Sequence, residues 1–275
     1  MPDVVEISEL KIGGAYPLIF FIGPCVIENA DTCIAMAEEI NEICLSAGVN
    51  WVFKASFDKA NRTSLHSFRG PGLEEGLKIM SKVRKMLDVP IMTDVHLPAQ
   101  AALVAEVCDV VQIPAFLCRQ TDLVVEVARR ARTVNIKKGQ FLAPWDMRNV
   151  IEKAYSAGNS NVIVTERGYA FGYNNLVTDF RALPIMRDFG CPVVFDATHS
   201  VQMPGGKGDC SGGAREYVIP LARAATAVGC DGLFIEVHPR PEEALSDGPN
   251  SLNMEQLKNL IDQAVRIDSV LRKGN

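Results

Sequence analysis

The sequence predicts an α/β chain folded as one (β/α)8 TIM barrel over residues 1–275, with a short N-terminal hairpin cap. Three observations predict it. About eight short runs rich in β-branched residues recur along the chain, spaced by roughly 20 to 40 residues. Each run is followed by a stretch whose apolar residues fall at helical spacing, the rhythm of βα units. A length of 275 residues also sits close to the ~250 residues typical of one such barrel. An open doubly wound sheet is the alternative, but no GxGxxG turn follows the first strand.

In chain order, Gly13, Gly14 and the residues before them read as a small hairpin ahead of the barrel. The strands follow at Leu18 to Cys25, Trp51 to Ser56, Pro90 to Val95, Val110 to Ala115, Val134 to Gly139, Val162 to Arg167, Val193 to Thr198 and Leu233 to His238. The first intervening helix can be capped by Asn29 or Asp31, carries Ile34, Ala37, Ile40, Ile43 and Ala47 on one face, and ends at Gly48, which adopts φ > 0 without strain. Pro98 to Val107 and Asp122 to Arg132 are patterned alike, and Gly158, Gly190 and Gly229 each sit just before a strand.

Composition bounds the function. Hydrophobic residues make up 48% of the chain and the formal charge is -5. Without a basic tail or arginine-rich stretch, nucleic acid is not an expected partner. No apolar run approaches the roughly 20 residues that cross a bilayer. The acidic start, MPDVVEISELKIGG, lacks the basic and apolar regions of a secretory signal. The 8 cysteines are scattered rather than spaced as a disulfide framework. A cytoplasmic protein with reduced thiols is expected.

The chemistry-bearing residues fall at the strand ends: Cys25; Lys54 with Lys59 beyond it; Asp94 and His96; Gln112; Lys137 and Lys138; Glu166 and Arg167; Asp196 and His199; Glu236 and His238. In this fold the active site is built at the C-terminal face of the strands. Cys25 alone reads most simply as core, and His199 alone as a turn histidine. Together with Glu236 and Asp247 they offer a thiolate, an imidazole and two carboxylates on one rim, because the first and eighth strands adjoin in a closed barrel. Such a mixed set suits a divalent ion such as zinc, iron, manganese or cobalt without singling one out. His238 is a competing ligand.

Lys54, Lys59, Lys137 and Arg167 converge on the same cavity of an acidic protein. Burying that much positive charge is costly without anions. These come either from carboxylates such as Asp58, Asp94 and Glu166 or from a phosphorylated, carboxylate-bearing substrate. Alternation along the strand lets only one of Lys137 and Lys138 face inward. The run Lys59-Ala-Asn-Arg-Thr-Ser64 suits a phosphate. Pro204 to Gly213 lacks the order of a P-loop and reads as a mobile lid.

The motifs Gly23-Pro-Cys-Val-Ile-Glu28, Phe53-Lys-Ala-Ser-Phe-Asp-Lys-Ala-Asn-Arg62, Phe68-Arg-Gly-Pro-Gly72 and Thr93-Asp-Val-His96 resemble those of the 3-deoxy-D-manno-octulosonate 8-phosphate synthases. So do Gln112-Ile-Pro-Ala-Phe116, Lys137-Lys-Gly-Gln-Phe141, Phe171-Gly-Tyr-Asn-Asn175, Phe195-Asp-Ala-Thr-His-Ser200, Glu236-Val-His-Pro239 and Ser246-Asp-Gly-Pro249. The resemblance runs along nearly the whole chain. It implies a homotetrameric β/α barrel that condenses phosphoenolpyruvate with D-arabinose 5-phosphate and water, releasing phosphate, in lipopolysaccharide biosynthesis. Cys25 and Asp247 place the chain with the metal-dependent class, whose metal-independent relatives carry asparagine in place of the cysteine.

By the same resemblance, Cys25, His199, Glu236 and Asp247 are the metal ligands, and Lys54, Lys59, Lys137 and Arg167 clamp phosphoenolpyruvate with Gln112, the Ala115 backbone and Gln140 nearby. Asn61, Arg62 and Thr63 hold the sugar phosphate, with Arg119 from a neighbouring subunit. Thr63 departs from the serine more usual there but keeps the hydroxyl. Asp94 and His96 sit beside the reacting centre, which with Lys59 and Lys137 makes the expected catalytic set. The nearest rival is the related heptulosonate synthase family, which uses erythrose 4-phosphate and has a Lys-Pro-Arg-Thr motif in place of Lys-Ala-Asn-Arg. A catalytically silent metal-binding barrel is the reading from another class.

Overall fold

A computed structural model describes residues 3–61, 64–205 and 212–273. Strands β1 (Val5–Ile7) and β2 (Leu10–Ile12) form an antiparallel hairpin. Strand β3 (Ile19–Gly23) then leads to helix α1 (Ala30–Ala47), β4 (Asn50–Lys54) to α2 (Leu73–Leu87), β5 (Ile91–Asp94) to α3 (Ala101–Val107) and β6 (Val110–Ile113) to α4 (Thr121–Arg130). Strand β7 (Thr133–Lys137) leads to α5 (Met147–Ser156). After β8 (Val162–Glu166), a ribbon of β9 (Tyr169–Ala170) and β10 (Leu176–Val177) precedes α6 (Ala182–Arg187). Strand β11 (Val193–Asp196) is followed by β12 (Gln202–Met203), β13 (Gly212–Gly213) and α7 (Val218–Val228), and β14 (Gly232–Glu236) by α8 (Met254–Lys273).

Eight parallel strands close in the order β11-β14-β3-β4-β5-β6-β7-β8, so the expected barrel and its hairpin are both present. The first strand, β3, lies between β4 and the last, β14. That closure brings Cys25 beside residues more than two hundred positions later. Gly23 is required at the β3–β4 seam, where a Cβ would stand 1.9 Å from the Lys54 carbonyl oxygen.

Side chains alternate along each strand. One set, including Phe20, Ile22, Phe53, Val111, Ile136 and Phe195, packs against the helices. The other, including Ile19, Phe21, Val52, Met92, Val110, Ile163, Val194 and Phe234, fills the barrel together with Val5, Ile7 and Ile12 of the hairpin. The hairpin therefore plugs the N-terminal end of the barrel. Thr133 Oγ1 ties it down by donating to the Glu6 carbonyl at 2.7 Å, and Ser8 Oγ by donating to Asp109 Oδ1 at 2.7 Å.

Helix α1 shows how local chemistry sets the boundaries. Asn29, rather than Asp31, is its N-cap, accepting from the Thr32 amide at 2.9 Å. Gly48 ends it at φ 65°, and Ile34, Ala37 and Ile40 are buried as spaced, joined by Cys44 while Ala47 faces solvent. The stretch from Pro98 divides into a 3-10 turn, Pro98–Gln100, and α3. Among the described residues no helix is long and apolar enough to cross a membrane.

Candidate active site and metal centre

The strands that carry apolar residues into the barrel's lower half present polar or charged ones two positions later. Lys54 follows Val52, Asp94 follows Met92, Gln112 follows Val110, Asp196 follows Val194 and Glu236 follows Phe234. Lys54, Asp94, Gln112 and Glu236 open onto a cavity of about 380 Å³ at the C-terminal mouth, while Asp196 is buried against Lys137 and His199. Lys59, Asn61, His96, Ala115, Lys137, Gln140, Arg167, His199 and Asp247 line the same cavity.

Cys25, Glu236 and Asp247 each bring one donor atom within 4.8 Å of the others. Cys25 Sγ lies 2.8 Å from Ser246 Oγ and donates to Asp247 Oδ2 at 3.2 Å. His199, expected as the fourth donor, falls outside this close group but stands beside it, its Nε2 3.6 Å from Glu236 Oε1 and 3.7 Å from Asp247 Oδ2. Its other nitrogen, Nδ1, lies 2.8 Å from Asp196 Oδ2. A carboxylate on the far ring nitrogen orients the near one toward a metal. Glu236 Oε2 is buried and, among the described residues, has no hydrogen-bond partner. Asp247 sits in the left-handed region, φ 48°, unusual for a residue other than glycine. A soft sulfur, an imidazole nitrogen and two carboxylates around an orphaned buried oxygen fit a divalent cation.

The electrostatics agree with that fit. Burial, then the Asp247 and Glu236 charges, push the Cys25 thiol far up, so a thiolate there needs a cation at hand. Burial would raise the Glu236 carboxyl as well, but His199, Lys54, Lys59 and Lys137 hold it well below the carboxylate range.

Two of the four expected cations are already ion-paired. Lys54 Nζ contacts Glu236 Oε1 at 2.5 Å and Lys137 Nζ contacts Asp196 Oδ2 at 2.6 Å. Both ammonium groups also sit over the Phe234 ring, at 4.8 and 3.7 Å from its centroid. Burial lowers the Lys137 pKa, opposed mainly by Asp196 and Glu236. Burial works against the Lys59 charge too, yet the Cys25 sulfur, then Glu236, Asp94 and Asp247, hold that ammonium above its usual range.

Arg167 differs. It is buried, donates from Nη2 to Gln202 Oε1 at 3.0 Å, and its Nη1 has no partner among the described residues. Burial pulls its pKa down despite the nearby Asp196 and Asp247. Gln140 Oε1 is likewise buried without a partner. At the opposite wall, His96 Nε2 lies 3.2 Å from Asp94 Oδ2.

Of the carboxylates weighed as neutralising partners, Asp94 faces the cavity and acts on Lys59, while the other two are paired elsewhere. Asp58 pairs with Arg69, and Glu166 pairs with Lys138 outside the cavity. Of the two adjacent lysines, Lys137 is the inward one. His238 is turned to Glu28, 3.6 Å away, and to the Arg240 carbonyl. Arg119 is exposed and is not among the residues lining this chain's cavity. Arg62 and Thr63 lie outside the described residues, as does 206–211 of the glycine-rich stretch, whose flanks pair as β12 and β13.

Several participants have parts that the sequence did not reveal. Asp196 is visible as a strand end, but its part as the brace of both His199 and Lys137 is not. Gln202 bridges Arg167 to Asp247, donating to Asp247 Oδ1 at 3.0 Å. Ser246 against Cys25 was detectable only as a hydroxyl beside Asp247. Asn135 donates to Gln112 Oε1 at 3.1 Å and accepts from Thr165 Oγ1 at 2.7 Å, a buried polar floor under the cavity.

Comparison with known proteins bears on this geometry. Residues 3–272 match the model of the DAHP synthetase I family. A 2-dehydro-3-deoxyphosphooctonate aldolase of Geobacter sulfurreducens is 57% identical over 272 residues, covering 99% of this chain and 100% of the relative. Proteins of the same name from Geotalea uraniireducens and a Cyanothece species are 58% and 57% identical, covering 99% and 98% of this chain and 100% and 99% of the relatives. Matched over nearly its full length by the family model and by relatives more than half identical to it, the chain belongs to the DAHP synthetase I family.

Proposed function

We propose that this chain is a 3-deoxy-8-phosphooctulonate synthase: it condenses phosphoenolpyruvate with D-arabinose 5-phosphate and water to give 3-deoxy-D-manno-octulosonate 8-phosphate and phosphate, a step of lipopolysaccharide biosynthesis. The observation that carries the reading is the Cys25/Glu236/Asp247 donor group, whose two carboxylates line a cavity that the half-free guanidinium of Arg167 also lines. A buried cation with an unpaired N–H is a site waiting for an anion.

In this reading Arg167 and Lys137, with Lys54 and Lys59, receive the phosphate and carboxylate of phosphoenolpyruvate, flanked by Gln112, the Ala115 backbone and Gln140. Asn61, Arg62 and Thr63 take the sugar phosphate, and Arg119 reaches a neighbouring subunit's site in a homotetramer. The methylene carbon of phosphoenolpyruvate attacks the aldehyde, water adds at the neighbouring carbon, and the tetrahedral product expels phosphate by carbon–oxygen cleavage. Fixed positive charge at Arg167 and Lys137 favours the departing phosphate. Asp94 and His96 stand where a proton can be held or passed on. Cys25, His199, Glu236 and Asp247 would hold a divalent ion, which would supply Lewis acidity. The setting is cytoplasmic.

The family match also admits the erythrose 4-phosphate chemistry of the rival family; the Lys59-Ala-Asn-Arg62 run speaks for the five-carbon sugar. Phosphate release from phosphoenolpyruvate, assayed with each aldehyde separately on metal-loaded protein, decides. Turnover with arabinose 5-phosphate and little with erythrose 4-phosphate is expected. The reverse preference, or no turnover with either, contradicts the proposal.

A further inference from the structure

Lys138 points away from the cavity, into the layer between barrel and helices, and is completely buried, as is Glu166. Their charged groups lie 3.5 Å apart. The Lys138 ammonium also reaches three carbonyl oxygens, those of Gly139 at 3.2 Å, Gly168 at 3.3 Å and Leu142 at 3.4 Å, and lies 3.6 Å from the Tyr169 ring centroid. Glu166 Oε1 in turn accepts the Gly168 amide at 2.6 Å. A buried ion pair is poor evidence of stabilisation, since well-packed apolar residues of like volume often do as well. What this pair does that an apolar pair cannot is coordinate backbone carbonyls from two separate turns.

Those turns matter. Gly139 and Leu142 follow β7, directly behind Lys137 and Gln140, while Gly168 follows β8, directly behind Arg167. Besides Lys138, the Ala170 amide bridges these turns, donating to the Gln140 carbonyl at 3.0 Å. We infer that Lys138, held by Glu166, is a positioning residue that locks the turns carrying Lys137, Gln140 and Arg167 into one anion-binding geometry. The inference rests on the proposed function, in which those three groups face phosphoenolpyruvate.

The test compares wild type with Lys138→Met, Glu166→Gln and the double variant, measuring melting temperature, kcat and KM for phosphoenolpyruvate, and phosphoenolpyruvate binding by calorimetry. Lys138→Met strands a buried carboxylate and lowers the melting temperature; the double variant removes that charge and regains most of the loss. The carbonyls remain uncoordinated in both, so KM and Kd for phosphoenolpyruvate stay raised on the order of tenfold to a hundredfold, with a smaller change in kcat. Glu166→Gln keeps the carbonyl contacts and shifts KM least.

If KM and Kd instead follow melting temperature across the three variants, or do not move, Lys138 is only a core residue and the inference is overturned. Calorimetry needs no turnover, so it decides this even if wild type fails to release phosphate with arabinose 5-phosphate, a failure that counts against the proposed function.

Discussion

The two ends of the barrel are built from the same eight strands in one continuous inward register, and they differ by a two-residue step along each strand, roughly 7 Å. At the N-terminal end Phe21, Val52, Met92, Val110 and Val194 meet the hairpin's Val5, Ile7 and Ile12 in a dry plug. One step up, Lys54, Asp94 and Gln112 face the cavity, and Asp196 is buried against Lys137, which lines it. Phe234 lies at the boundary, packed into the plug on one side and beneath the Lys54 and Lys137 ammonium groups on the other. The comparison teaches that the plug stabilises the barrel while the rim spends that stability on charges held close together.

This division can be broken by substitutions at each end. Phe21→Ala in the plug is expected to cost about 3–5 kcal/mol of unfolding free energy, measured by denaturant titration, with KM for phosphoenolpyruvate unchanged. A variant that keeps its stability but loses substrate affinity would erase the distinction between the two ends. Arg167→Ala at the rim is expected to lower kcat/KM by roughly a hundredfold to a thousandfold, with a melting temperature equal to or above wild type, because a buried cation lacking a full set of partners has been removed. A steep fall in melting temperature would make Arg167 a structural residue.

Cys25→Asn sharpens the comparison at the metal donors. Asparagine stands there in metal-independent relatives, so the variant is expected to lose bound metal, read by elemental analysis, while keeping some turnover. Unchanged metal content contradicts the ligand assignment.

The smallest effect concerns pH. Burial acts against the His96 charge, but the hydrogen bond and charge of Asp94 prevail and raise its pKa above the usual value. Its contribution to stability is therefore full below the ordinary histidine pKa of about 6.5 and is lost as pH rises through the raised folded value. Relative to His96→Gln, the wild-type melting temperature should decline across that interval. A difference that stays flat, or grows with pH, contradicts the sign.

Alternation and strand ends made most of this legible in the sequence. Cys25, Glu236 and Asp247 could be grouped because a closed barrel sets the first strand against the last, and Lys137 could be told to compete with Lys138 because side chains alternate. Which lysine turned inward depended on register, which a run of two lysines does not encode. Asp196 is an aspartate at a strand end like Asp94. Its part as the brace of His199 and Lys137 depends on strand neighbours and on the three-residue return of the chain to His199. Gln202 sits in the two-residue strand β12 and Ser246 in the loop after β14, segments too short or irregular for periodicity to constrain direction, and Arg119 is exposed, away from this chain's cavity.

The most direct test of the account is to strip the protein with a chelator, confirm by elemental analysis that no divalent ion remains, and assay phosphate release from phosphoenolpyruvate and arabinose 5-phosphate before and after adding divalent ions one at a time. The account predicts that turnover disappears with the metal and returns with at least one ion that the Cys25, His199, Glu236 and Asp247 set can hold. Full turnover in the metal-free protein would contradict it.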